Sequence, residues 1–323
     1  MKIISCFTSL KEIAPLAAAG AAELYCAVNP LPSFGESLAL KNITEFKQAA
    51  AIAHDLGLKV SVAVNSLRLQ CDSRKAKRLA ALCAEAEQSG ADAFIISNLS
   101  ALNIFADHKF RPRAALHLSS VQPCFNSLSA AFFIRSGFSR LILPNQLAPQ
   151  EAKALLALCR KKGVETEIFD YRFFGCAYIN GHCHMHTPWY HTLKFHSPEG
   201  SLCRVNIPVT KHLKPVHFTE NSNMALMKTA ACRLSGRLAC GGAPRMANPA
   251  SFFDFFTAGI QYLKYGVRQD TAAAKIRKVK ELRYMADLAK RLKIDLGTGN
   301  ARKTFVKKMT AWDGSTEKFS HAD

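Results

Sequence analysis

Short apolar runs and amphipathic stretches alternate along the first 171 residues. The runs are KIISCF (2–7), ELYCAV (23–28), KVSVAVN (59–65), AFIIS after Asp92, AALHLS (114–119), RLILPN (140–145) and ETEIFDY (165–171). Their length and their β-branched and aromatic content predict strands. The segments between them, such as ITEFKQAAAIAHDLG and APQEAKALLALCRKKG, repeat apolar residues three and four positions apart, as an amphipathic helix does. Gly57 and Gly163 fall where such helices end and a strand begins, the usual place of a glycine C-cap. An eighth strand is expected in QYLKYGVR (261–268), followed by the helical pattern TAAAKIRKVKELRYMADLAKRLK. Eight β–α units predict an α/β fold, a (β/α)8 TIM-like barrel.

The seventh and eighth strands are separated by about 90 residues, far more than an ordinary connection. The chain therefore divides into barrel units one to seven (1–171), a cysteine-rich insertion (172–245), a closing strand and helix (246–293) and a polar basic tail (294–323), expected to be poorly ordered. Loops that follow the strands of such a barrel lie at its C-terminal face, so the insertion is expected over the barrel mouth.

At 323 residues and 49% hydrophobic content, the chain can bury the core of one large domain or two small ones. No apolar run is long enough for a membrane span. The N-terminus reads as strand then helix rather than as a secretory leader, and a cytoplasmic location is expected. The eleven cysteines include Cys83 and Cys159 inside periodic helical segments, where they read as small buried hydrophobes. Without a leader, a disulfide framework is the weaker reading.

The net charge of +19 is unevenly placed. Residues 172–245 carry nine Lys/Arg against two acids, and residues 264–308 carry fourteen against four. Such concentration favours a polyanion, RNA among them, or an anionic small molecule; ordinary solubilising charge is the alternative.

The insertion contains FFGCAYINGHCHMH (173–186) and, in all, Cys176, Cys183, Cys203, Cys232 and Cys240. Soft thiolates suit an iron–sulfur cluster or zinc. The spacing is C-x6-C-x19-C, with 28 or 36 residues intervening before a fourth cysteine, and no compact ferredoxin pattern is present. Zinc, completed by His182, His184, His186 or His191, is the alternative metal, although closely spaced cysteine pairs are missing. A catalytic Cys/His pair remains open, because its partners need only be neighbours in space. HExxH and G-x-S-x-G are absent, and GTGN (297–300) is too short for a dinucleotide fingerprint.

The ordered set AAGAAELYCAV, ITEFKQAAAIAHDLGLKVSVAVN, SGADAFIISNLSAL, ALHLSSVQPCFNSLSAAFFIRSGFSRLILPNQLAPQEA, ETEIFDYRFFGCAYINGHC, CRVNIP and AGIQYLKYGVR resembles the collagenase-like peptidase family U32 over roughly residues 9–270. The resemblance implies a barrel and, for many members, a 4Fe–4S cluster on four cysteines supporting hydroxylation without molecular oxygen. The substrates it implies are a tRNA wobble uridine, a ribosomal RNA cytidine or the ubiquinone ring, with prephenate as a hydroxyl source in the RNA cases. Carried onto this chain, the ligands are Cys176, Cys183, Cys203 and Cys240, with Cys232 the alternative for the fourth. Two segments depart from the family pattern: NQLA (145–148) lacks an Arg/Glu pair, and KYGVR (264–268) keeps Lys264 and Arg268 but lacks a glutamate.

The expected function is 4Fe–4S-dependent hydroxylation of an RNA base. The alternatives are ubiquinone-ring hydroxylation with a paralogous protein partner, a true peptidase, and a non-catalytic cluster-bearing scaffold. His117 in strand five and Asp170 at the end of strand seven are candidate catalytic groups, with Ser119 beside the former. Lys264 and Arg268 are candidates both for catalysis and for holding an anionic, prephenate-like substrate. Arg172 and Arg204 are further substrate-binding candidates. Tyr178, Trp189, Tyr190 and Phe195 could stack a base, or simply cover the mouth.

Overall fold

The structure is a computed structural model describing residues 1–33, 38–66, 69, 72–144, 147–170, 249–266, 268 and 270–311. Eight strands form a closed parallel barrel in sequence order: β1 (Lys2–Cys6), β2 (Glu23–Cys26), β3 (Lys59–Val64), β4 (Ala93–Ile96), β5 (Ala115–Leu118), β6 (Arg140–Ile142), β7 (Glu165–Phe169) and β8 (Tyr262–Tyr265). Pairing of β8 with β1, Lys2 opposite Tyr262 and Ser5 opposite Tyr265, closes it. The helices are α1 (Ile13–Ala18), α2 (Ile43–Asp55), α3 (Ser73–Gln88), α4 (Ser100–Asp107), α5 (Ser127–Arg135), α6 (Pro149–Lys161), α7 (Pro249–Ala258) and α8 (Ala272–Ala311). The TIM-like barrel expected from the alternating pattern is therefore the fold.

Local chemistry starts and stops these elements where the sequence indicates. Asn42, Asp72 and Asn126 each accept a hydrogen bond from the backbone N–H three residues on, capping α2, α3 and α5. Glu151 performs the converse task on α6, accepting from the Ala148 N–H at 2.8 Å. Gly57 and Gly163 have φ of 72° and 67°, the left-handed turn that ends α2 and α6.

Two cores result from the period-two alternation of the strands. Outward residues such as Val60, Val62, Phe94, Ile96, Leu141 and Ile168 pack against the helices in one large cluster. Inward residues form a small separate cluster of Ile4, Cys6, Tyr25, Ile95, Ile142 and Tyr262. The strands stop one to three residues before the apolar runs do. Asn65, Ser97, Ser119 and Asp170 consequently sit just beyond β3, β4, β5 and β7, on the C-terminal rim.

One element is added and one expectation is corrected. The long stretch between β7 and β8 ends in a barrel helix of its own, the phenylalanine-rich α7, which buries Phe252, Phe253 and Phe255. The chain beyond residue 294 is not a poorly ordered tail up to Ala311. Gly297, with φ 66° and ψ 164°, breaks α8, and the helix resumes with Ala301, Phe305 and Met309 buried. Phe305 stacks on Phe252 at 5.6 Å and meets Phe253 at 5.4 Å, while Arg302 grips Asp254 through two bonds of 2.7 and 2.9 Å. Three apolar residues spaced four apart (301, 305, 309) are enough to hold a helix whose other positions are mostly polar or charged. Among the described residues no helix is long and apolar enough to cross a membrane.

Truncating Phe305 to alanine is expected to destabilise the protein by about 3–5 kcal/mol, the usual cost of removing a buried aromatic ring. Urea unfolding followed by circular dichroism measures it; an unchanged midpoint would mean that this segment is not part of the folded core.

Candidate functional site

The interior of the barrel is charged. Glu23, Arg140, Glu165, Glu167 and Lys264 all occupy inward positions, and register brings them together: Arg140 lies opposite Glu165, and Glu167 opposite Tyr262. The Arg140 guanidinium, 3% exposed, donates to both oxygens of Glu23 (2.6 and 2.9 Å), to Glu165 (2.6 and 2.8 Å) and to Glu167 (3.3 Å). It lies 3.6 Å from the centre of the Tyr262 ring, whose hydroxyl donates to Glu165 at 2.8 Å. Lys264 donates to the other oxygen of Glu167 at 2.8 Å and stands 4.0 Å from the centre of the Tyr25 ring. Every one of these charges is thereby compensated, which buried ions require.

The network fixes the protonation of its members. Burial works to lower the Arg140 pKa, but the hydrogen bonds and charges of the surrounding glutamates outweigh it and hold the guanidinium fully charged. Burial works to raise the Glu165 carboxyl, yet the hydrogen bonds from Tyr262 and Arg140 carry it below the usual carboxylate range. Burial lowers Lys264, with Glu167 opposing the shift.

His117 faces the same interior, in register between Ile95 and Arg140. It is 4% exposed, and its Nδ1 has no hydrogen-bond partner among the described residues. Burial first, and then the cations Arg140, Lys264 and Lys59, hold it well below its ordinary value, so it is neutral. One level closer to the mouth, Ser119 accepts from Asn65 Nδ2 at 3.3 Å, and Ser97 donates to the Ser66 carbonyl at 3.1 Å. The interior thus offers a neutral imidazole, an amide and hydroxyls towards the mouth, above a saturated ionic floor. Such a lining can orient a polar ligand by hydrogen bonds.

Of the candidate residues, the structure brings His117 and Lys264 to this interior. Lys264 is engaged by Glu167, and an anion could take its ammonium only by displacing that carboxylate. Arg268 follows β8, its guanidinium 5.5 Å from the centre of the Tyr25 ring, which leaves it nearer the mouth. Asp170 belongs elsewhere. Its neighbour Phe169 packs on the inner cluster, whereas Asp170 turns to the helical layer, 1% exposed, with Lys278 of α8 at 3.9 Å. Lys278 also contacts Glu281 at 2.6 Å, and the fully buried Lys275 binds Glu12 at 2.9 Å, so the rim between β7, β8 and β1 carries a second ionic cluster. Gly266 lies where these layers meet: a Cβ there would fall 2.4 Å from Phe169 and 3.2 Å from the Tyr25 hydroxyl.

Arg172, Arg204, Cys176, Cys183, Cys203, Cys232 and Cys240 lie outside the described residues, as do the histidines and aromatic residues considered with them. Among the described residues no group of His, Cys, Asp and Glu could hold a metal ion. The described cysteines, Cys6, Cys26, Cys83, Cys124 and Cys159, are buried, and burial pushes each thiol up, Cys6 and Cys159 to about 11, Cys83 and Cys124 to about 12. They are packing groups, poor sources of thiolate. Sequence reasoning missed Glu23, Arg140, Glu165 and Glu167. The available signal was their position: in ELYC, RLI and ETEIF the charges alternate with outward apolar or small residues, at the inward places of buried strands.

Replacing Lys264 by methionine leaves Glu167 short of a partner and is expected to cost about 3–5 kcal/mol of stability. The double variant Lys264→Met/Glu167→Met should recover most of that loss in denaturant titrations. His117 gives a pH signature. Its folded pKa lies below the unfolded value near 6.5, so its contribution is complete above that pH and is lost as the unfolded chain takes up a proton. Stability should therefore fall as pH drops below about 6.5, and His117→Gln should flatten that slope in unfolding measurements.

A model of peptidase family U32 matches residues 8–194, more than half of the chain. No curated protein matches the sequence. Among solved structures, the U32 peptidase Mk0906 is 14% identical, with 52% of this chain and 68% of that one covered at a TM-score of 0.40. Phosphoribosylanthranilate isomerase from Thermotoga maritima is 9% identical over 52% of this chain and 75% of its own, at a TM-score of 0.35. An IMP dehydrogenase/GMP reductase-like protein from Corynebacterium glutamicum is 10% identical over 52% and 57%, at 0.36. The family match begins at Thr8, just after β1, and runs through β2 to β7 and beyond, and on it the chain belongs to peptidase family U32.

Proposed function

We propose that the protein is a 4Fe–4S-dependent enzyme that hydroxylates an RNA base without molecular oxygen, with Cys176, Cys183, Cys203 and Cys240 as the cluster ligands. The observation that carries the reading is where the cysteine-bearing stretch is attached. It leaves the barrel at Asp170, on the C-terminal rim, and returns at Pro249, the first residue of α7. Both ends belong to the face at which barrels of this kind perform chemistry. The donor chemistry agrees, because that stretch carries five cysteines while the described cysteines are held as buried thiols. When bound, such a cluster would relay electrons, because hydroxylation takes two from the base and a prephenate-like hydroxyl donor would have to receive them. His117, Asn65 and Ser119 would orient the base by hydrogen bonds, and Arg268 would meet its anionic partner at the mouth. Lysines and arginines clustered in 172–245 and 264–308 would hold the phosphate backbone, positioning the RNA without reading it.

Anaerobic purification with iron and sulfide analysis tests this first. Roughly four irons and four sulfides and a broad band near 400 nm are expected, both lost in Cys176→Ala and Cys203→Ala. Mass spectrometry of RNA from a deletion strain should then show one hydroxylated base missing. A colourless protein with one tight zinc, or with no metal after anaerobic reconstitution, would overturn the proposal.

A further inference from the structure

We infer that His117 and Ser119 form the station that recognises an uncharged ring through a hydrogen-bond acceptor on its edge, and that Asn65 sets the direction of the Ser119 bond. The two side chains stand two positions apart at the end of β5, roughly 7 Å along the strand, an interval that one planar ring can span. Leu116 and Leu118 pack outward under the helices, so His117 looks inward. Ser119 continues the alternation, its N–H donating to the Ile96 carbonyl at 2.8 Å. The Ser119 hydroxyl is buried and already committed as an acceptor. Asn65 Nδ2 and the Val121 N–H both donate to its Oγ, each at 3.3 Å. A hydroxyl has two lone pairs and one proton, so the proton is what remains for a ligand. Asn65, just beyond β3, thereby makes Ser119 a donor.

His117 supplies the second contact. Its Nδ1 is buried with no hydrogen-bond partner among the described residues, a costly state that a ligand atom would relieve. A neutral imidazole carries one N–H and one bare nitrogen, so it can meet either a donor or an acceptor on the ring. An anion finds no such welcome on this side of the interior. From Ser61 towards the mouth, the inward residues of β3, β4 and β5 are Ser61, Ala63, Ala93, Ile95, Ala115 and His117, none of them a cation. The inner cations Arg140 and Lys264 are already held by carboxylates. A carboxylate or phosphate placed here would be a buried charge without a partner. Arg268 lies instead by β8, over the Tyr25 ring. The mouth is thus divided, with the uncharged ring against β3 to β5 and anionic groups towards β8. The inference deepens the reading proposed above and rests on it for RNA as the source of the ring, but its test needs neither turnover nor cluster chemistry.

The experiment is isothermal titration of the anaerobically purified full chain with uridine, benzoate and a water-soluble quinone as probes. Uridine is expected to bind. Ser119→Ala should weaken that binding about three- to tenfold, the worth of one neutral hydrogen bond, whereas Ser119→Thr, which keeps the hydroxyl, should not. His117→Leu should abolish binding, and His117→Asn, whose amide stands near the place of Nδ1, should restore part of it. Thermal midpoints check that each variant is folded. Uridine binding that Ser119→Ala retains in full would overturn the inference. So would benzoate binding that Ser119→Ala and His117→Leu remove, since the station would then be an anion site. Failure of both neutral probes to bind would overturn it as well. Quinone binding with the expected variant pattern, in place of uridine binding, would uphold the inference and overturn the RNA reading instead.

Discussion

Arg140 is the group around which the barrel interior is built. A guanidinium sealed inside a β-barrel is tolerable only if carboxylates surround it in good geometry, because an unpaired buried charge costs several kcal/mol. Two strands meet that demand: β2 supplies Glu23, and β7 supplies Glu165 and Glu167. The demand then propagates. Three carboxylates around one cation leave an excess of negative charge, and Lys264 on β8 reduces it through Glu167. A slip of one residue in any of these strands would turn its charges into the apolar layer under the helices, so the network also specifies register. Interiors of this fold are ordinarily filled by branched apolar side chains. Here the aliphatic part is confined to a few residues such as Ile4, Ile95 and Ile142.

The same network explains why His117 differs from a histidine at the surface. Arg140, Lys264 and Lys59 all disfavour its charged form, and solvent does not reach it to stabilise that form. Its neutral form, with Nδ1 unsatisfied among the described residues, is ready to make a hydrogen bond but not to carry charge. A ligand at the mouth therefore meets directional polar groups first, with Arg268 as the nearest cation among the described residues and the paired charges beneath.

The barrel was legible because its signal is local. Apolar runs, helix caps at Asn42, Asp72 and Asn126, and glycines at 57 and 163 each mark one boundary, and eight repeats of the pattern allow few other folds. The interior was less legible because it depends on which residues face one another across several strands. His117 and Lys264 stood out by type alone, and both do point inward. Asp170 also stood out by type, but it lies one position past Phe169, and period two sends it outward to Lys278. Arg140 and its carboxylates escaped notice because a charged residue at the start of a short strand looks like an ordinary solvated end. The tail misled for a related reason: Ala301, Phe305 and Met309 are three apolar residues among many lysines, and composition hides what spacing reveals.

The two attachment points of the cysteine-bearing stretch are secured by different forces. At its start, Asp170 is held through its backbone, donating to the Lys264 carbonyl at 3.0 Å, and through the ionic cluster that Lys278 and Glu281 share on α8. At its end, α7 is held by aromatic packing, Phe252 and Phe253 against Phe305, with Arg302 and Asp254 alongside. Both restraints come from the one helical element that follows β8. Its first half supplies the lysines that fix the rim, and its second half, folded back at Gly297, supplies the ring that fixes α7. The terminal segment, which reads in sequence as charged surplus, thus braces both ends of that stretch, at β7 and at α7. Loosening it would alter the site without touching a single residue that contacts substrate, because a stretch anchored at two points is positioned only as well as its anchors.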